Sequence, residues 1–221
     1  MLNRRKKYLQ IALNSAPWEG ERIISQLSSS DRIIIEAGTP LIKAYGINGI
    51  RALRDAWYNK SEDDPYIVAD TKCMDRGLAE VRIARDGGAS AATVLGAAPI
   101  ETINYFISAC QDLGLDSMVD TIGIDQPFKV LRKLMKMPTV VVLHRGVDEE
   151  NFDKSKPIPY LQINKIRSSF DVMISVAGGD TIREVQRAIF NDADIVVVWK
   201  DFYSPSSNVG LLAKEFLKQI E

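Results

Sequence analysis

The amino-acid sequence predicts an α/β protein folded as a single (β/α)8 TIM barrel, and three observations carry that expectation. Short apolar runs alternate strictly with segments of helical spacing. There are eight of each. The whole fits into 221 residues, about the size of one small barrel. Strict alternation implies parallel strands joined by right-handed crossovers. A doubly wound open sheet is the rival, but it needs fewer strands at this length, and no glycine-rich dinucleotide fingerprint follows the first strand.

The strand-like runs are Tyr8–Leu13, Arg32–Glu36, Tyr66–Asp70, Ala91–Leu95, Leu115–Val119, Thr139–His144, Val172–Val176 and Asp194–Trp199. Between and after them lie Trp18–Leu27, Leu41–Trp57, Gly77–Asp86, Ile100–Leu113, Pro127–Met135, Ile163–Phe170, Thr181–Phe190 and Ser207–Ile220, each spaced as a helix. In such a barrel, chemistry sits at the carboxyl ends of the strands. The first strand ends in Asn14 and the second in Glu36, followed by Ala37-Gly38-Thr39-Pro40. The third ends in Asp70, with Lys72 and Asp75 beyond it. Asp120 follows the fifth, and His144-Arg145 with Asp148 closes the sixth. The seventh runs into Gly178-Gly179-Asp180-Thr181, and the eighth ends in Trp199-Lys200-Asp201. Polar groups therefore converge on one rim.

Composition narrows the function classes. The chain is 46% hydrophobic and 26% charged, ordinary for a soluble globular protein. Its net charge of -1 offers no global basic field for nucleic acid or anionic lipid. The one basic cluster, Arg4-Arg5-Lys6-Lys7, reads as a solvated tail or a junction, so residues 1–7 are set apart from a barrel domain at 8–221. The apolar run after it is too short for a signal peptide, and nothing approaches the ~20 residues of a membrane span. Cys73 and Cys110 lie far apart in no metal-like spacing, which suits a reducing cytosol and a cytoplasmic protein. Cys73 reads as a small packing residue.

The stretch Ile67–Asp75 organises the rest. Alternation along an extended chain points Asp70 and Lys72 the same way. Asp75 stands where a helix starts and reads as its N-cap. Glu36 and Asp70 cap neighbouring strands about 5 Å apart, so the two carboxylates can reach one cation, and such oxygen ligands suit Mg²⁺; otherwise they are solvated loop acids. Lys72 is either a structural ion pair or a fixed charge beside a developing oxyanion. His144, the one histidine of the chain, is placed for proton transfer. Gly178 and Gly179 open a helix after the seventh strand, a common phosphate cradle in barrels, with Lys200 as counter-charge; otherwise they form an ordinary turn. Arg145 joins the substrate-binding candidates.

The runs Tyr8–Leu13 and Ile35–Lys43, the motif Asp70-x-Lys72-x-x-Asp75, the segment Leu143–Asp148 and the segment Val176–Gly179 together resemble the 3-hexulose-6-phosphate synthases, within the orotidine 5'-monophosphate decarboxylase suprafamily. The resemblance covers nearly the whole chain and is closest to the synthase domain of archaeal enzymes fused to a formaldehyde-activating domain. It implies a homodimer of (β/α)8 barrels, with Mg²⁺ on Glu36 and Asp70, catalytic Lys72 and His144, and Asp75 entering the partner's site. It implies a reversible aldol addition of formaldehyde to D-ribulose 5-phosphate, through an enediolate, giving D-arabino-hex-3-ulose 6-phosphate. A separate formaldehyde-activating protein is an implied partner. Three positions depart from the family pattern. Asn14 stands where an aspartate is usual, Trp199-Lys200 where Gly-Arg is usual, and Asp180 puts an acid in the phosphate loop. Two alternatives stay open: a decarboxylase of the same suprafamily, or a non-catalytic ligand-binding barrel.

Overall fold

The computed structural model describes residues 1–61, 64–153, 155–205 and 207–220. Glu221, the last residue of the expected barrel span, lies outside them. Eight strands, β1 (Tyr8–Leu13), β2 (Ile33–Ala37), β3 (Ile67–Cys73), β4 (Ala91–Leu95), β5 (Asp116–Asp120), β6 (Val140–His144), β7 (Met173–Ala177) and β8 (Ile195–Val198), form a closed parallel barrel in chain order. The helices are α1 (Pro17–Gln26), α2 (Thr39–Tyr58), α3 (Gly77–Asp86), α4 (Ile100–Leu113), α5 (Pro127–Leu131), α6 (Val147–Phe152), α7 (Leu161–Arg167), α8 (Ile182–Phe190) and α9 (Val209–Gln219).

Strand alternation divides the core into two layers. Outward residues such as Leu9, Ile11, Leu13, Ile33, Ile35 and Val141 pack against the helices in one large cluster. Inward residues such as Tyr8, Ile34, Val68, Met118, Val140 and Met173 fill the barrel below its mouth.

The expected elements are present, with shifts that have physical causes. Strand β5 lies one residue later than expected, which brings Asp120 into the strand. β8 stops at Val198, and the chain turns at Trp199 into a 3-10 turn, Lys200–Tyr203. Helix α5 ends at Leu131 rather than Met135. Helix α2 is interrupted at Gly46 (φ 58°, ψ -144°). Helix α6 is unexpected; it has no buried residue and so no hydrophobic period to betray it. The N-cap of α3 is Arg76, in left-handed backbone, and not Asp75. At Gly77 a β-carbon would lie 3.2 Å from the Phe106 backbone, so α3 can approach α4 this closely only through a glycine.

The basic cluster makes ion pairs with acids around the amino-terminal end of the barrel, while Arg4 and Arg5 stay exposed. Leu2 packs under the inner layer and its N–H donates to Asp116 (3.1 Å). Arg4 pairs with Asp171, Lys6 with Asp31, and Lys7 with Asp192 (3.1 Å) and Asp194 (3.3 Å). The segment thus closes the amino-terminal end of the barrel against a ring of acids. Asp194 is the buried node: it also accepts from the Ile174 N–H (2.8 Å) and from Arg167 (2.5 Å). Removing such a carboxylate strands the buried Ile174 N–H and leaves Lys7 and Arg167 to the more exposed Asp192. Asp194→Ala should cost about 2–4 kcal/mol in guanidinium unfolding. An unchanged midpoint would show that the node does not hold β7 and β8 together.

Candidate active site

A cavity of about 500 Å³ opens at the carboxyl-terminal mouth of the barrel. Glu36, Asp70, Lys72, Asp120 and His144 all line it, although they come from four strands. The barrel register explains the convergence. Glu36 is paired with Val68, so Asp70 is the next inward position up on β3; Asp120 is paired with Val142, so His144 is the next inward position up on β6. The stagger of a tilted barrel places both pairs at one height.

Lys72 reaches this group by breaking the strand rule. Register runs from Ala69↔Ala92 to Cys73↔Val94, so β3 carries extra residues against β4. Lys72 itself has φ 43°, a left-handed conformation of a non-glycine residue, worth of order 1–3 kcal/mol of strain. The distortion is held by Thr93, whose hydroxyl accepts from the Lys72 N–H (2.9 Å) and donates to Asp70 Oδ1 (2.7 Å). Thr39 Oγ1 donates to Asp70 Oδ2 (2.8 Å). Lys72 Nζ lies 2.5 Å from Asp70 and 3.4 Å from Asp120. Asp120 accepts from the Ile122 N–H (2.9 Å) and meets His144 Nδ1 at 2.8 Å. The result is an alternating chain, Asp70–Lys72–Asp120–His144. Simple alternation therefore gives the right neighbour for Lys72 for the wrong reason.

Burial decides the electrostatics. Asp70 and Asp120 are only 6% and 3% exposed. Burial alone would raise the Asp120 carboxyl, but the charge and hydrogen bond of His144 and the charge of Lys72 hold it below its ordinary value. Burial alone would lower His144, but Asp120 outweighs it and the imidazole is raised. Lys72 is likewise raised, because Asp70, Asp120 and Glu36 outweigh its desolvation. Glu36 is the exception. Burial, then the Asp70 charge, pushes it up to about 7. Its ionisation therefore opposes folding, and that penalty grows as pH rises from the ordinary carboxylate range towards 7.

That imbalance tests whether a cation fits. Glu36 is a buried carboxylate raised by burial and then by the neighbouring Asp70 charge, and Gln10, which donates to Glu36, leaves its own Oε1 buried without a partner. Among the described residues no three His, Cys, Asp or Glu side chains gather as a metal cluster. Two acids with oxygen ligands from solvent or substrate suit a hard divalent cation, and the residues fit one.

The distal end of the cavity is different. Gly178 has φ 99°, and a β-carbon there would collide with the Arg145 carbonyl oxygen, so the turn requires glycine. Gly179 lies behind the wall against Glu184 and Ile158. The Arg145 guanidinium is turned inward on the protein: it donates to the Lys156 (3.2 Å) and Gly178 carbonyls and pairs with Glu184 (3.3 Å) and Glu150 (3.4 Å). Lys200 is not in the cavity wall; it is tied to Glu150 (2.6 Å), with Asp180 at 3.7 Å. Asp180 accepts from the Trp199 N–H (2.7 Å), so this acid shapes the end of β8. Trp199 lines the cavity, and its ring meets Tyr203 edge-on at 6.4 Å. Asn14 also lines it, with its backbone N–H donating to the Tyr203 hydroxyl (2.7 Å). Asp75 is exposed and outside its own cavity.

Sequence reasoning placed Asp120 at the rim without giving it a role, and it missed Thr93, Thr39 and Gln10 as parts of the site. Asp120 was visible as an acid after the fifth strand; only a one-residue shift made it a wall residue. Both cysteines are buried, with burial as the first cause pushing the Cys73 thiol up to about 11 and the Cys110 thiol to about 12, which disqualifies them as nucleophiles.

Comparison with known proteins shows which family the chain is similar to. Residues 7–199 match the family described as orotidine 5'-phosphate decarboxylase / HUMPS. The chain is 39% identical over 196 residues to a protein of Methanocella arvoryzae named bifunctional enzyme Fae/Hps, covering 86% of this chain and 48% of that one. It is 35% identical over 216 residues to a protein of the same name from Methanothrix thermoacetophila, covering 97% and 53%. The chain thus spans about half the length of these curated relatives. A crystal structure of 3-hexulose-6-phosphate synthase superposes with a TM-score of 0.82 at 29% identity, covering 97% of this chain and 100% of that one.

The His144–Asp120 pair has a defined pH window. The raised imidazole contributes stability that is full below its unfolded value of about 6.5 and lost as pH rises through the folded one; the lowered carboxyl contributes stability that is lost as pH falls through its folded value. As the one histidine, His144 gives a single NMR titration. It should titrate above about 6.5 and move down in Asp120→Asn. Identical curves in the two proteins would show that the pair does not form.

Proposed function

We propose, for a chain that belongs to the orotidine 5'-phosphate decarboxylase / HUMPS family, the reaction of a hexulose-phosphate synthase: an aldehyde-lyase that adds formaldehyde reversibly to D-ribulose 5-phosphate, giving D-arabino-hex-3-ulose 6-phosphate. The observation that carries the reading is the alternating chain Asp70–Lys72–Asp120–His144 with Glu36 beside it in one cavity. An aldol addition of this kind removes a proton beside a ketone, spreads negative charge over two oxygens of an enediolate, and returns a proton to the new alkoxide. These residues supply the parts.

Lys72 is a fixed cation, locked by Asp70 and Asp120, and can stabilise charge without moving. His144 is oriented through Nδ1 by Asp120, which leaves Nε2 as the nitrogen that carries protons to and from the substrate. Glu36 and Asp70 would hold Mg²⁺, which when bound supplies Lewis-acid stabilisation of the substrate oxygens. The raised Glu36 and the unpartnered Gln10 oxygen support that assignment.

The reading extends to a homodimer in which Asp75 enters the partner's site. Asp75 and Met74 are exposed directly after β3, as residues for a partner would be. It includes a formaldehyde-activating protein as partner, in line with the two-part name Fae/Hps of the curated relatives. Among the described residues no helix is long and apolar enough to cross a membrane. A cytoplasmic location is part of the same proposal.

The test is formaldehyde release from hexulose 6-phosphate with and without Mg²⁺. The protein should turn over with Mg²⁺, and Asp70→Ala should lose about a thousandfold or more. No turnover in either direction would overturn the reaction. A near-normal Asp70→Ala would overturn the metal assignment alone.

A further inference from the structure

The distal end of the cavity holds its own anion. Arg145 and Lys200 come from the ends of β6 and β8, and one carboxylate, that of Glu150, lies against both, at 3.4 Å and 2.6 Å. Glu150 lines the cavity whereas Lys200 does not, so a group entering from the mouth meets the acid before that cation. Other acids of the chain also meet the groups nearby, although the Arg145 Nε is buried without a partner. Asp180 takes the Trp199 N–H and lies 3.7 Å from Lys200. Glu184 pairs with Arg145 and accepts from the Thr181 N–H at the start of α8 (3.3 Å). Two cations against three carboxylates leave no surplus positive charge for a phosphate dianion.

We propose that Glu150 is a specificity-determining gate: its carboxylate occupies Arg145 and Lys200 in place of an anion, and a phosphorylated substrate binds by displacing it. The inference rests on the reading of the cavity as a sugar-phosphate site. The element that carries Glu150 is built for displacement. Helix α6 is six residues long and has no buried residue, so swinging it costs little packing. Asp180 and Glu184 differ: they are tied to backbone N–H groups of the loops they shape, and they stay. Displacing Glu150 leaves two cations facing two carboxylates, and a dianion interacts with the two cations more strongly than the monoanion it replaces, whereas a neutral polyol end cannot make the exchange. The gate therefore selects phosphorylated over unphosphorylated sugars by a built-in competitor, as well as by attraction.

The probe is inorganic phosphate, titrated calorimetrically into the wild-type chain, Glu150→Gln and Glu150→Asp, all without metal or sugar. Glu150→Gln keeps the shape and removes the charge; it should bind phosphate about tenfold more tightly than wild type. Glu150→Asp keeps the charge and should stay near wild type. In the metal-loaded enzyme, Glu150→Gln should lower KM for ribulose 5-phosphate while kcat moves little. A merely structural ion pair would instead lower the melting temperature of Glu150→Gln and leave phosphate affinity unchanged, which overturns the gate. Absence of phosphate binding in all three proteins overturns it too. The phosphate titration needs no turnover, so an inactive wild-type chain whose Glu150→Gln variant gains phosphate affinity would refute the proposed reaction and not the gate.

Discussion

Charges taken out of water at the barrel mouth must be paired inside the wall, and this constraint shapes everything around the site. Leaving one of them alone would cost about 3–5 kcal/mol. Holding Lys72 in left-handed backbone costs of order 1–3 kcal/mol. Pairing wins, and the strand yields: β3 bulges, Lys72 turns, and Thr93 bonds both to its backbone and to Asp70. The same rule makes Asp120 serve two cations at once, Lys72 and His144. Only Glu36 is left without a positive partner of its own, and it is the acid raised to about 7.

The two ends of the barrel use ion pairs for different ends. At the amino-terminal end, Arg4, Lys6 and Lys7 meet acids of the surrounding loops, and the pairs close the core. At the carboxyl-terminal mouth the pairs are arranged around space, and one group remains uncompensated. This is the division of stability and chemistry that barrels allow. Within the mouth there is a second contrast. The inner group is fixed by neighbouring strands, whereas the outer cations are shared with a helix that has no fully buried residue.

Much of the fold was legible because parallel barrel strands are buried on both faces and read as continuous apolar runs. Tyr8–Leu13 matches β1 at both ends for that reason. The acids at strand ends were legible as well, since Glu36 and Asp70 interrupt such runs. What escaped depended on contacts far apart in the chain. The bond of Lys200 to Glu150 spans 50 positions, so a cation that looked available is already engaged. Asp75 looked like a cap because its spacing to the helix is right, but the close approach of Gly77 to Phe106 moves the cap to Arg76. Helix α6 has no apolar face, and nothing in its local pattern separates it from a loop. The threonines that fix Asp70 are ordinary strand residues until the register brings them to it.

The proposed cation site is that of Glu36 and Asp70, across the mouth from His144. Paramagnetic Mn²⁺ tests it most directly, because a single histidine gives an unambiguous signal. Titrating Mn²⁺ into the protein should broaden the His144 ring resonances at low occupancy, and the effect should vanish in Asp70→Ala. Sharp His144 resonances at saturating Mn²⁺, or broadening that survives Asp70→Ala, would contradict it.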